Sequence, residues 1–130
     1  MKRNDLSQIQ FDIKFYEKLI KSQPDHIDAL TALGDAYTKI GEYKKGLIID
    51  KKLVALRNDD ETVFYNLACS YALLKMTDES IMALTRSIEL GYSDVMHLQK
   101  DRDLDNIRTD ERFQELITQL KQKHNKSPLT

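Results

Sequence analysis

A single cysteine, Cys69, stands in a chain of 130 residues. It cannot close an internal disulfide, which excludes a small disulfide-stapled secreted scaffold. An excess of one charge is also lacking. Twenty Lys and Arg face twenty-one Asp and Glu, for a formal net charge of -1. A broad nucleic-acid footprint needs a basic excess, so no nucleic acid is expected as a partner. No run approaches eighteen uncharged apolar residues, so no membrane span is expected. The basic start MKRNDLSQIQ has no apolar stretch behind it, so no signal peptide is expected either. By exclusion the expected location is cytoplasmic. The two main helix breakers, proline and glycine, number only two and four. With 41% hydrophobic and 32% charged residues, the composition fits a folded, helical chain rather than general disorder.

What is present is an internal period. LTALGDAY, residues 30–37, overlies FYNLACSY, residues 64–71, at an offset of 34 residues. Leu30 meets Phe64, Leu33 meets Leu67, Gly34 meets Ala68 and Tyr37 meets Tyr71. The match continues through Ile40 with Leu74, Gly46 with Ser80, Leu47 with Ile81 and Val54 with Ile88. Large residues meet large ones and small meet small, the signature of a repeated supersecondary unit. Each unit reads as two helices. The first covers about 27–40 and about 61–75, and the second about 43–56 and about 78–90. Gly41 marks the turn in one unit and Thr77-Asp78 in the other, where either Asp78 or Thr77 is placed to cap the next helix. Antiparallel helices joined by a tight turn approach closely, which explains small residues at Gly34, Ala68, Gly46 and Ser80.

An apolar stripe of Ile9, Ile13, Tyr16, Leu19 and Ile20 precedes unit one and ends at Pro24, so the chain opens with the second half of a unit. After Gly91 the period breaks. Ser93 or Asp94 can cap a short helix through Leu98. A further helix starts near Thr109 or Asp110 and runs to about Gln122, with Phe113, Leu116, Ile117 and Leu120 on one face. The expected organisation is a single all-α domain over 1–130: a leading helix (5–22), two repeats (27–60 and 61–94), a degenerate terminal cap (95–123) and a frayed tail (124–130).

These residues resemble the tetratricopeptide repeat, a helix-turn-helix unit of the same length. That family favours a large residue, Leu, a small residue and Tyr at the positions held here by Leu30, Leu33, Gly34 and Tyr37, and by Phe64, Leu67, Ala68 and Tyr71. The segment LQKDRDLDNIRTDERF resembles a closing segment found after the last repeat in many bacterial proteins, through Asp103, Leu104, Asp105, Ile107, Arg108, Arg112 and Phe113. The resemblance implies an α-α superhelix of antiparallel hairpins, a bacterial source, and a C-terminal end to the stack. It suggests no activity.

The residues themselves supply little chemistry. Asp101, Asp103 and Asp105 have the one, three, five spacing of a calcium loop, but Asn106 and Arg112 stand where that loop needs Gly and Glu. Zinc needs several convergent ligands, and one cysteine with His26, His97 and His124 forms no motif. HxxxH, CxxC, GxSxG and P-loop patterns are absent. No catalytic residue, metal or cofactor is therefore expected. The aspartates read as helix-start charges or as a solvated loop pinned by Leu104 and Ile107, and Asp59-Asp60 as helix-start charges.

What remains is a surface. In the family, first helices line a concave groove, which here implies Asp28, Thr31, Asp35 and Lys39 from unit one. Unit two contributes Thr62, Tyr65, Asn66, Cys69 and Leu73, and Lys100 follows from the closing segment. Tyr65 would be an amphipathic anchor and Asn66 a two-way hydrogen-bonding group. Cys69, beside the packing stripe of Phe64, Leu67, Ala68 and Tyr71, would be a small, partly buried wall contact. Some family members clamp a C-terminal carboxylate, and Asn66 matches the central Asn of that clamp. Asp35 would repel such a ligand, so a mixed or basic peptide is the expected one. The leading expectation is a non-enzymatic module that binds a peptide or helix of another protein. The alternatives are a self-assembling scaffold subunit, or a small-ligand or enzymatic domain with a pocket formed by His97, Cys69 or the aspartates.

Overall fold

A computed structural model describes residues 3–125. Every regular element in this range is helical: α1 (Arg3–Ser22), α2 (Ile27–Lys39), α3 (Tyr43–Leu56), α4 (Glu61–Leu73), α5 (Thr77–Glu89), α6 (Val95–Lys100), a 3-10 helix (Arg102–Ile107) and α7 (Glu111–Asn125). The chain forms two compact units, Met1–Asp59 and Asp60–Thr130. None of the helices is long and apolar enough to cross a membrane.

In the first unit α2 and α3 form a hairpin, and α1 lies on α2. His26 starts α2, its Nδ1 accepting the Ala29 N–H at 3.1 Å. Leu30 and Leu33 are fully enclosed, and Ile13, Ala29, Tyr37, Leu47 and Leu53 complete the core. The hairpin is as close as the small residues demand. A Cβ on Gly34 would stand 3.2 Å from both Asp50 Oδ1 and Ile49 Cγ2, and one on Gly46 would stand 3.1 Å from Thr38 Oγ1. The Tyr37 hydroxyl donates to the Glu17 carboxylate, tying α1 to α2. Ile9, Tyr16, Leu19 and Ile20 of the leading stripe are half-buried, whereas Phe11 and Phe15 are exposed.

In the second unit α4 and α5 repeat the hairpin. Asp60 caps α4, its Oδ1 accepting from Thr62 N–H (2.9 Å) and Val63 N–H (3.2 Å). Ser80 and Ser87 occupy the close contact. Their hydroxyls donate to Ala68 C=O (2.7 Å) and Glu61 C=O (2.6 Å), so two buried polar groups are satisfied while keeping the helices near. The turn differs from expectation at two points. Neither Thr77 nor Asp78 caps α5, because the position before the helix is Met76, which makes no side-chain cap. The turn is made instead at Lys75, with φ of 60°. Thr77 is already helical, and Asp78 turns out to Arg112, 2.8 Å away.

Past α5, Gly91 takes φ of 116° and the Tyr92 N–H closes on Ser87 C=O at 3.0 Å. Of the two candidate caps for α6, Asp94 serves, its Oδ1 accepting from His97 N–H at 3.0 Å. Leu98, Leu104 and Ile107 are fully enclosed, and Phe113, Leu116, Ile117 and Leu120 of α7 are buried. α7 continues through Asn125 rather than ending near Gln122, so residues 124 and 125 of the expected frayed tail are helical. Residues 126–130 lie outside the described residues.

Candidate functional site

Helical spacing puts Asp28, Thr31, Asp35 and Lys39 on one exposed row of α2, opposite the enclosed Leu30 and Leu33. Thr31 Oγ1 donates to Ile27 C=O at 2.9 Å, and Lys39 pairs with Asp35 at 2.9 Å. The row therefore offers two exposed carboxylates, Asp28 and Asp35, of which Asp35 is shared with Lys39. In the second unit Thr62 and Asn66 are exposed one turn apart on α4, Leu73 is half-buried, and Lys100 is exposed at the end of α6.

Tyr65 and Cys69 differ from the expected groove wall. Both are buried, at 5% and 7% exposure, and Ala72 on the same row is fully enclosed. The reason lies more than thirty residues downstream. The 3-10 helix folds onto α4 and brings Asp101 over Tyr65. The Tyr65 hydroxyl donates to Asp101 Oδ2 at 2.7 Å, and Cys69 Sγ lies 3.9 Å from the same oxygen. His97 Nε2 stands 3.2 Å from it. The other carboxylate oxygen, Oδ1, accepts the Asp103 N–H at 3.0 Å and starts the 3-10 helix. Asn106 Nδ2 donates to Ala72 C=O at 2.8 Å, which ties the segment to α4 a second time.

Arg108 completes the arrangement. Its guanidinium donates to the backbone carbonyls of Gln99 and Asp101 and lies over the Phe113 ring, 5.6 Å from the centroid. Tyr92 stacks on Tyr65 with ring centroids 4.5 Å apart and planes 11° apart, and His97 tilts against Tyr65 at 5.6 Å.

The electrostatics follow from this packing. Burial, and after it the neighbouring Cys69 and Asp101, push the Tyr65 phenol well above the ordinary tyrosine value. Burial likewise pushes Tyr92 up to about 12. Both phenols are thus held neutral, and Tyr65 serves as a hydrogen-bond donor rather than as an acid.

Cys69, Asp101 and Asp103 bring ligand atoms within 4.8 Å of one another. The oxygens of Asp101 already accept from Tyr65 and from the Asp103 N–H. Asp105, the third member of the calcium-like spacing, instead meets Arg108 at 3.2 Å. The three aspartates therefore do not converge as a calcium loop would require, and the cluster works as a clasp between the segment and α4. Sequence reasoning met Asp101 in the metal test and, with His97 and Cys69, in the pocket alternative, and met Asn106 only where a calcium loop needs Gly; it placed neither against α4. The signal available was the DRDLDNIR pattern, in which Leu104 and Ile107 mark a pinned segment.

Residues 62–90 match the tetratricopeptide repeat family model. The structure is similar to MamA from residue 41 onward of Desulfovibrio magneticus RS-1. The TM-score is 0.70 at 21% identity, over 94% of this chain and 71% of that one. A crystal structure of MamA gives 0.71 at 23% identity, over 95% of this chain and 72% of that one. A third gives 0.67 at 19% identity, over 98% and 91%. No curated protein sequence matches the chain. The fold is all-α and tetratricopeptide-like.

Proposed function

We propose that this chain is a non-enzymatic module that binds a peptide or a helix of another protein. The observation that carries this reading is the row on α2. Asp28, Thr31, Asp35 and Lys39 face solvent in register while the opposite side of the same helix is sealed in the core. Such a helix holds polar groups at fixed spacing on a rigid support, which is what recognition of an extended or helical ligand needs. Thr62 and Asn66 do the same on α4, and Lys100 adds a cation on α6. Two carboxylates on α2 favour a ligand with basic residues.

Tyr65 and Cys69 are excluded from contact with the ligand by the segment that covers them, and they set the rigidity of α4 instead. That segment resembles the family's closing segment, and we assign it that role in the second unit. The test is selection of peptides on the immobilised protein, followed by affinity measurements on variants. Asp35→Lys and Asn66→Ala are each expected to weaken binding about tenfold, or ~1.4 kcal/mol. Affinity unchanged in both variants, or no peptide selected, would overturn the reading.

A further inference from the structure

Four side chains with metal-ligating atoms meet where the closing segment crosses α4. Cys69 Sγ and Asp101 Oδ2 are 3.9 Å apart, and His97 Nε2 is 3.2 Å from the same oxygen. An Asp103 oxygen lies within 4.8 Å of ligand atoms of both Cys69 and Asp101. A tetrahedral zinc ion binds sulfur at about 2.3 Å and nitrogen or oxygen at about 2.0 Å. Its ligand atoms then stand about 3.5 Å apart for sulfur and oxygen, and about 3.3 Å for nitrogen and oxygen. The His97–Asp101 edge already has that length, and the Cys69–Asp101 edge must close by about 0.4 Å.

The donor types suit zinc rather than calcium or magnesium, because thiolate and imidazole are ligands of a softer ion. They come from α4, α6 and the start of the 3-10 helix, so no short motif announces them in the sequence. A second observation concerns Tyr92. Its hydroxyl is buried and makes no hydrogen bond among the described residues. The ring stacks on Tyr65, and Cys69 and Asp101 both act on its phenol. A buried hydroxyl of this kind calls for an acceptor. A neutral thiol is a weak one, whereas a metal-bound sulfur is deprotonated and accepts well. The Tyr65 hydroxyl already donates to Asp101 Oδ2, the kind of outer hydrogen bond that orients a ligating carboxylate.

We infer that Cys69, His97, Asp101 and Asp103 bind one zinc ion, with Tyr65 and Tyr92 donating hydrogen bonds to its ligands. Binding releases the Cys69 thiol proton to solvent and leaves a thiolate on the ion, so affinity falls as pH is lowered. The ion joins α4 to the closing segment and locks the cover over Tyr65. This goes beyond the peptide-binding reading and uses none of the α2 row, so either can fail without the other.

Titration of the full chain with Co²⁺ and then Zn²⁺ tests it. One Co²⁺ per chain is expected to give a thiolate-to-metal charge-transfer band and the visible bands of a tetrahedral site, and one equivalent of Zn²⁺ should erase both. Cys69→Ser should lose the charge-transfer band. His97→Ala and Asp103→Asn should each weaken zinc binding at least about tenfold. His97 is exposed, so His97→Ala should keep its helix content by circular dichroism and carries the test even where Cys69→Ser fails to fold. Asp105→Asn, at a residue that meets Arg108 instead, should bind zinc like wild type. A wild-type chain that gives no charge-transfer band overturns the proposal. So does an unchanged zinc affinity in His97→Ala or Asp103→Asn, or an equal loss in Asp105→Asn.

Discussion

Gly41 and Lys75, 34 residues apart, hold the same left-handed position in the turns of their two hairpins, with φ of 81° and 60°. The following amides close the same ring in each, Glu42 N–H to Tyr37 C=O at 2.8 Å and Met76 N–H to Tyr71 C=O at 2.9 Å. Glycine takes this conformation without a Cβ clash, and lysine does not. Lys75→Gly is therefore expected to stabilise the protein by about 0.5–1 kcal/mol, the relieved strain exceeding the extra chain entropy of glycine. Urea unfolding measures it. Gly41→Ala should move the midpoint the other way.

The hairpin contact in the first unit is expected to reject added volume. A Cβ at Gly34 already presses Asp50 and Ile49 at 3.2 Å, so Gly34→Val should cost about 1–3 kcal/mol. The same substitution at Gly91, where nothing lies within 4 Å, meets no such packing and acts through its positive φ alone.

Tyr65→Phe removes the donor to Asp101 and is expected to cost about 1–2 kcal/mol. Asp101→Ala removes the acceptor, the start of the 3-10 helix and the partner of His97 together, and should cost more. The two effects should be non-additive in a double-mutant cycle, since both break the same bond.

Stability should fall at alkaline pH in a defined window. Tyr65 and Tyr92 are raised above the ordinary value of 10.0, so the folded state holds their protons more tightly than the unfolded one. Their contribution is complete below about pH 10 and is lost as pH rises, for Tyr92 through about 12. Melting temperature against pH measures this, and Tyr65→Phe should flatten the decline. On the acid side Arg112 holds the Asp110 carboxyl below its ordinary value of 3.8. That contribution is present above the ordinary value and is lost as pH falls below it. Arg112 is exposed and Asp110 only half-buried, so added salt should shrink the effect.

Much of this was legible in the sequence because the hairpins are local. Leu30 over Phe64, Gly34 over Ala68 and Gly46 over Ser80 are set by a period that one chain displays twice. The turn at Lys75 was not legible, because lysine carries no preference for a left-handed backbone. The position could be found only by its alignment with Gly41. Phe11 and Phe15 were passed over because the stripe of Ile13, Tyr16 and Ile20 already accounts for α1. The α2 row was legible because its surroundings are its own helix. The fate of Tyr65 and Cys69 was not, because the cover comes from Asp101 and Asn106, far along the chain.

The placement of that cover decides which surfaces a partner can reach, and the thiol of Cys69 reports it directly. Reaction of the native protein with a thiol reagent should be slow, set by opening of the segment from Val95 to Ile107, and faster in Asp101→Ala while the helix content holds. Prompt reaction in the native wild-type protein, at the rate of an unfolded cysteine, would contradict it and return Tyr65 and Cys69 to the open face of α4.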